Sequence, residues 1–343
     1  MEKFDRSIKR GRSSIVYMEM KGRYSVAIIA CYMGDLPGSY KLWEKSCFYN
    51  PGYDFILVTD QDIASSCGNL RIVKISLGEF SRFISDRLEV QVEVDRPYKL
   101  CDFRPMFGVI FSELLERYDF WGHCDLDQIF GSLESFITQD VLAHNKKIYQ
   151  LGHLTLYKND YEMNHLYEQE GGMDWRTAVL DGHSCFFDEV VIREKCQYNN
   201  INVYTQRDYA DIDPWHRRFK LSDELISIER KRYNNKKNQI FYWAKGKIYR
   251  AFIDLDGELK NDEFCYLHFQ KRNLPPPKFD VEVVESFYIT NQGFVERTSN
   301  LTDAMAIECY NRYPGFIIEF GEIIRFWICE YKKRLLLRIE KFV

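Results

Sequence analysis

The sequence predicts an α/β fold whose first half is a set of parallel strands joined by helical crossovers. Strand-length apolar runs stand at Ser25–Tyr32 (SVAIIACY), Asp54–Asp60 (DFILVTD) and Leu70–Ile75. Helical stretches alternate with them, and that alternation is the pattern of a parallel sheet. A helix with a broad apolar face then precedes a further strand candidate, Tyr118–Asp127 (YDFWGHCDLD).

The first crossover helix is Pro37–Tyr49. The later one opens at Pro105, since proline is well placed at a first helical position. Its apolar face comprises Met106, Phe107, Val109, Ile110, Phe111, Leu114 and Leu115. Leu133–His144 reads as the next helix. The pattern changes after about Gln150: strand-like pieces mix with a loop at Gly171 and Gly172. Gln239–Phe252 reads as a hairpin turning at Lys245-Gly246. Phe264–Phe269 is a short strand, and Pro275, Pro276 and Pro277 break the chain.

Composition bounds the function. The 343 residues are long enough to bury a substantial core, and 45% are hydrophobic and 29% charged, an ordinary globular balance. Aromatics reach 16%, which suits either core filling or stacking on sugars and bases. A net charge of -4 supplies no basic field for nucleic acid. The ten cysteines are scattered with no CxxC pair, which argues against a zinc site and a disulfide scaffold and for reduced thiols in a cytoplasmic protein. Met1–Tyr24 is polar and basic without an apolar core, unlike a signal peptide. No apolar run reaches membrane-spanning length.

Four D-x-D triplets occur: Asp60/Asp62, Asp125/Asp127, Asp211/Asp213 and Asp254/Asp256. The last runs into Gly257, a turn signal, and reads as a solvated loop. Asp211-Ile-Asp213-Pro214 sits in a polar stretch and also reads as a loop. Asp60 ends a strand, with Asp62 beyond it. Asp125-Leu126-Asp127 alone closes an apolar run with a helix to follow. Residues two apart in a strand share a face, so both carboxylates are expected to project from the strand's C-terminal end, where ligand crevices of open α/β sheets lie. Hard oxygen donors without thiolates suit Mg2+ or Mn2+, and such an ion stabilises a diphosphate leaving group. The plainer alternative is a pair of acidic residues capping the next helix.

Residues 25–132 resemble the GT-A glycosyltransferases, whose D-x-D motif holds a metal on the donor diphosphate. Pro97-Tyr-Lys-Leu-Cys-Asp102-Phe-Arg104-Pro105, then Trp121-Gly-His-Cys-Asp-Leu-Asp-Gln-Ile-Phe-Gly131, then Tyr266-Leu-His-Phe-Gln-Lys-Arg272, resemble a little-characterised bacterial family associated with capsular and surface polysaccharide loci. The resemblance implies a GT-A, Rossmann-like nucleotide-sugar-binding domain with a mixed central sheet. Its extent implies an N-terminal extension (1–24), a catalytic domain (25–275, divided at 132/133 into nucleotide-sugar and acceptor halves) and a C-terminal helical extension (276–343). It implies base and ribose contacts for Tyr32 and Asp60, and a donor-flanking place for Lys99 and Asp102. It assigns Asp125, Leu126 and Asp127 to the metal motif and His268 to completing the metal sphere. Lys271 and Arg272 are set against the phosphates. Arg104 stands either beside the donor or at a helix start. For His268 the alternative is a hydrogen-bonded core histidine; neutral imidazole suits a metal, and nearby cations would offset the diphosphate.

On the acceptor side, Asp188 or Glu189 is a candidate general base for an inverting displacement, against a helix-capping role. His183 either meets a sugar hydroxyl or fills its loop. The implied activity is transfer of a hexose, galactose among the candidates, from a UDP-linked donor to a saccharide acceptor. Nucleotidyl transfer is the first competitor, although Gly34-Asp-Leu-Pro-Gly38 lacks the basic, Gly-rich loop it uses. A non-catalytic sugar-binding or scaffold protein is the second. Phe316–Val343 reads as an apolar helix carrying six cations and two carboxylates from Arg325 onward. It suits either the inner face of an anionic membrane, useful for lipid-linked acceptors, or packing on protein.

Overall fold

The strands in chain order are β1 (Val26–Tyr32), β2 (Tyr53–Thr59), β3 (Leu70–Lys74), β4 (Phe120–Cys124), β5 (Gln128–Phe130), β6 (Lys147–Ile148), β7 (Leu154–Lys158), β8 (Val203–Tyr204), β9 (Ala210–Asp211), β10 (Asn238–Ala244), β11 (Lys247–Ile253), β12 (Leu259–Phe264), β13 (Tyr266–His268), β14 (Ser286–Thr290) and β15 (Gly293–Glu296). These come from a computed structural model that describes residues 22–214, 219–222, 235–236, 238–270, 272, 274–310, 321, 324 and 328. The chain falls into two compact units. The first takes the described residues up to 36, then 42–126 and 133–208. The second takes 37–41, 127–132 and the described residues from 209 onward.

The first unit carries a mixed sheet in the order β3-β2-β1-β4-β7-β6-β8. β1 pairs parallel with β2 and with β4, and β2 with β3, as the alternating pattern predicts. β7 turns the sheet antiparallel against β4 and β6, and β8 rejoins β6 in parallel. The chain leaves β1 toward β2 on one side and returns to β4 on the other. That reversal opens a crevice at the C-terminal ends of β1 and β4. Close β4–β7 approach requires Gly122, because a Cβ there would collide with the Thr155 carbonyl.

Helices cover this sheet. Leu77–Leu88 is fixed by a capping box between Ser76 and Glu79, and its Phe80 stacks on Phe111 at 5.8 Å. The helix expected to open at Pro105 is built differently. Pro97–Met106 is a 3-10 helix with Pro105 inside it, and the α-helical turns Phe107–Ile110 and Ser112–Leu115 are separated at Phe111. Proline lacks the N–H that an α-helix would need there. The apolar face is nonetheless buried at Met106, Phe107, Ile110, Phe111, Leu114 and Leu115. The single helix expected at Leu133–His144 is likewise two short ones, Leu133–Phe136 and Gln139–His144, because Thr138 caps a fresh start.

The second unit holds an antiparallel sheet, β12-β11-β10-β14-β15, and a small sheet, β5-β13-β9. The β10–β11 hairpin turns at Lys245 and Gly246, both at positive φ (47° and 81°), the conformation of a two-residue hairpin turn. After the three prolines the chain returns to add β14 beside β10 and β15 beside β14. The helix Asp303–Tyr310 buries Ala306 and Ile307 among Ile240, Tyr242, Ala251 and Tyr288. Nearly all of the tail helix expected at Phe316–Val343 lies outside the described residues. Among the described residues no helix is long and apolar enough to cross a membrane, and no described cysteine forms a disulfide.

Candidate active site

Three sequence-predicted positions stand at the C-terminal ends of parallel strands in the first unit. Tyr32 ends β1, Asp60 directly follows β2, and Asp125 directly follows β4. Asp60 Oδ1 accepts from the Gly34 amide and from Gln61 Nε2, both at 2.9 Å. The Gly34 amide, with help from Gln61, holds the Asp60 carboxyl below its usual pKa. Asp60 therefore ties the loop after β1 to the end of β2.

The D-x-D carboxylates do not share a strand face. β4 stops at Cys124, and the chain bends before β5 starts at Gln128. The Asp125 amide bonds to the His153 carbonyl at 3.0 Å, whereas the Asp127 carbonyl accepts from the Phe269 amide at 2.8 Å. Each aspartate is thus anchored in a different unit, one residue apart around buried Leu126.

In the first unit Arg104 is the hub. Its guanidinium bonds to Asp125, to Asp188 at 3.0 Å and to the Gly152 carbonyl at 3.2 Å. One cation between two carboxylates leaves an excess of negative charge. Burial, opposed by Arg104 and reinforced by Glu189 and Asp125, pushes Asp188 up to about 7. Glu189 accepts from the Gly152 amide at 3.1 Å. A Cβ at position 152 would come within 2.5 Å of Asp188 Oδ2, so a larger residue there would push that carboxylate aside. Both acids lie in the π-helical turn Phe187–Val191, a form found often at functional sites.

Lys99 and Asp102 are both buried. Three residues per 3-10 turn stack them, and Lys99 Nζ lies 2.9 Å from Asp102 with both side chains buried. Lys99 also donates to the carbonyls of Ala178 (2.6 Å) and His183 (2.8 Å). Asp102 accepts from the amides of Cys185 and Phe187, at 3.0–3.1 Å. The pair clamps the segment that carries Asp188. His183 is an exposed loop residue that leans on Asp181.

In the second unit His268 lies in register between Gln128 of β5 and Asp211 of β9. Its Nδ1 is 2.8 Å from Asp211 Oδ1 and its Nε2 is 3.4 Å from Asp127 Oδ1. Burial works against charge on this ring, but Asp127 and Asp211 outweigh it and hold its pKa well above the usual histidine value. Asp211 is a correction to the sequence reading: it is a buried strand residue, not a loop carboxylate. Its apolar neighbours, Tyr209, Ala210 and Ile212, are all buried and were the available signal. Gln270 also went unnoticed; its Nε2 donates to Asp211 at 2.6 Å and to Ser222 at 2.9 Å. Arg272 donates to the Asp213 carbonyl and lies over the Phe219 ring. Lys271 is outside the described residues. Asp254 and Asp256 form the exposed turn that was expected.

Asp127 and His268 suit a hard divalent cation. Two atoms bound to one octahedral ion at about 2.1 Å stand about 3 Å apart, and the carboxylate–imidazole gap of 3.4 Å is near that. The amide of Gln128 is buried with neither polar atom bonded to protein, so the polar row has unspent hydrogen-bonding capacity.

A family of unknown function, DUF6625, matches residues 28–298. The chain belongs to this family. The matched stretch includes every residue of both carboxylate clusters. No curated protein matches the sequence. Among solved structures, the galactosyltransferase LgtC in complex with donor and acceptor sugar analogs matches with 8% identity and a TM-score of 0.34, over 54% of this chain and 75% of that one. An active-site mutant of LgtC matches with 8% identity and a TM-score of 0.35, over 54% and 74%.

Proposed function

We propose that this DUF6625 member is a metal-dependent glycosyltransferase that moves a hexose from a nucleotide-sugar donor, UDP-linked, to a saccharide acceptor. The observation that carries the reading is the Asp127–His268 pair, held at 3.4 Å by a three-stranded sheet. Asp125, two residues upstream, cannot stand more than about 7 Å from Asp127 along the backbone. Asp125, Asp127 and His268 would hold Mn2+ or Mg2+, which when bound neutralises the donor diphosphate. The motif resemblance to GT-A enzymes, stretching over residues 25–275 as the catalytic domain, supports the same assignment.

The resemblance supplies roles for most of the remaining residues. Tyr32 and Asp60, at adjacent strand ends, would meet the base and ribose. Lys271 and Arg272 would face the phosphates. Asp188, buried and held near neutrality, is the acid–base candidate for the acceptor hydroxyl, with Glu189 beside it. Arg104 would keep Asp125 and Asp188 apart in charge and fixed in direction. Lys99 and Asp102 would act on the donor side only through the segment they clamp.

The product would belong to a bacterial capsular or surface polysaccharide. A lipid-linked acceptor would favour a cytoplasmic protein resting on the inner membrane face through its basic tail. Screening nucleotide sugars for nucleotide release, with Mn2+ or Mg2+ and then with a chelator, tests the reading. Metal-dependent release from one donor is expected. Release of pyrophosphate from a nucleoside triphosphate would favour nucleotidyl transfer instead, and sugar binding without any release would favour a scaffold.

A further inference from the structure

We infer that Asp211 is the positioning residue for His268: it keeps the proton on Nδ1 and leaves Nε2, the nitrogen facing Asp127, to meet a divalent cation. The inference rests on the proposed reading of Asp127 and His268 as metal ligands.

Four observations lead there. β13 and β9 pair in parallel with His268 opposite Asp211, so the two side chains rise from the same face of the sheet. The contact is 2.8 Å, within hydrogen-bond range, and it is made by Nδ1. Imidazole has two nitrogens, and the partner of one decides what the other can do. With Nδ1–H donated to Asp211, the proton that a cation displaces is the one on Nε2, which lies 3.4 Å from Asp127 Oδ1. Asp211 is itself buried at 3% exposure. Solvent therefore does not compete for its oxygens.

The alternative is that Asp211 is a ligand in its own right. The geometry favours the orienting role, because each of its oxygens already accepts a hydrogen bond. Oδ1 takes His268, and Oδ2 takes Gln270 Nε2 at 2.6 Å. Gln270 is held in turn by Ser222 at 2.9 Å. Gln270 also sits at a φ of 49°, a left-handed conformation that a non-glycine residue rarely adopts. Backbone strain of this kind persists only where surrounding contacts over-determine it. Here the contact it secures is the second clamp on Asp211. The backbone reinforces the arrangement, since the Ile212 amide bonds to the His268 carbonyl at 3.0 Å and the Phe269 amide to the Asp127 carbonyl at 2.8 Å. The ligating nitrogen, its orienting carboxylate and the facing aspartate are thus locked on one small sheet. Orienting partners of metal-bound histidines are commonly worth 10–100-fold in metal affinity.

The test uses the full-length chain and Mn2+ as the probe, with binding followed by electron paramagnetic resonance and calorimetry. Asp211→Asn is expected to weaken Mn2+ binding by about 10–100-fold, and Gln270→Ala by a smaller factor. Asp211→Asn retains an oxygen for the Nδ1–H and is the variant most apt to fold; circular dichroism checks this. A second readout, the 15N shifts of His268 in the Mg2+-saturated protein, should show a protonated Nδ1 in the wild type and a disturbed pattern in Asp211→Asn. A purely structural role for Asp211 would shift the melting temperature without moving either readout. If the wild-type chain binds no Mn2+, the ligand reading fails and the role of Asp211 falls with it. If wild type binds and Asp211→Asn binds within twofold with an unchanged His268 signature, the ligands stand and the inference about Asp211 is overturned.

Discussion

Replacing Lys99 with methionine tests whether the Pro97–Pro105 motif serves the donor or the fold. Methionine keeps most of the stem and removes the charge. The loss strands Asp102, a fully buried carboxylate whose only ion-pair partner among the described residues is Lys99 at 2.9 Å. Two amides, from Cys185 and Phe187, would still bond to it, but they carry no net charge. Removing one partner of a buried pair costs about 3–5 kcal/mol. The carbonyls of Ala178 and His183 lose a donor as well. A unit of this size shifts by about 2–4 °C per kcal/mol, so Lys99→Met is expected to lower the first unit's melting temperature by roughly 6–20 °C. The double variant Lys99→Met/Asp102→Asn should lose less than the sum of its parts, because asparagine still accepts from the two amides and leaves no charge stranded. Differential scanning calorimetry gives the melts and calorimetric titration gives donor affinity. A Lys99→Met protein that melts within about 1 °C of wild type while losing donor affinity would refute this reasoning and return Lys99 to the donor site.

Asp125→Ala and Asp127→Ala should each abolish metal-dependent nucleotide release while circular dichroism remains native, and a chelator should do the same reversibly to the wild type; full turnover by either folded variant would exclude the metal role. Asp188 holds its proton up to about 7 when folded, whereas an unfolded aspartate releases it near about 3.9. The folded, metal-free protein therefore binds the extra proton across that interval. This contribution to stability is constant below it, is lost as pH rises through it, and is flat above about 7. Urea midpoints from pH 4 to 8 should show that decline in the wild type and a shallower one in Asp188→Asn; parallel curves would count against the shifted carboxyl. Deleting residues 325–343 should reduce co-sedimentation with anionic liposomes and spare transfer to a soluble acceptor, since each near-surface cation contributes about 1 kcal/mol. Equal liposome binding by the full and shortened chains would end the membrane proposal.

The elements legible in the sequence are those whose signal is local. Strand-length apolar runs mark β1 and β2 nearly to the residue, because burial on both faces of a parallel sheet leaves an unbroken apolar run; β3, an edge strand reading LRIVK, carries a weaker form of the same signal. Lys245-Gly246 marked the hairpin because positive φ at both positions is a property of the turn residues themselves. Asp125 and Asp127 stood out by closing a strand before a change of structure. What the sequence could not supply was partnership at long range. Arg104 meets Asp188 across 84 positions and His268 meets Asp211 across 57. The only local sign that Asp211 is not a solvated loop acid is its apolar neighbours, Tyr209, Ala210 and Ile212; its burial comes from pairing with β13. The resemblance gives Lys99 and Asp102 a donor-flanking place; their partners in the fold, Ala178, His183, Cys185 and Phe187, lie some 80 residues away. Local propensity acts through a few neighbouring residues, whereas the protonation and direction of a buried side chain depend on charges that only tertiary packing brings within a few ångströms.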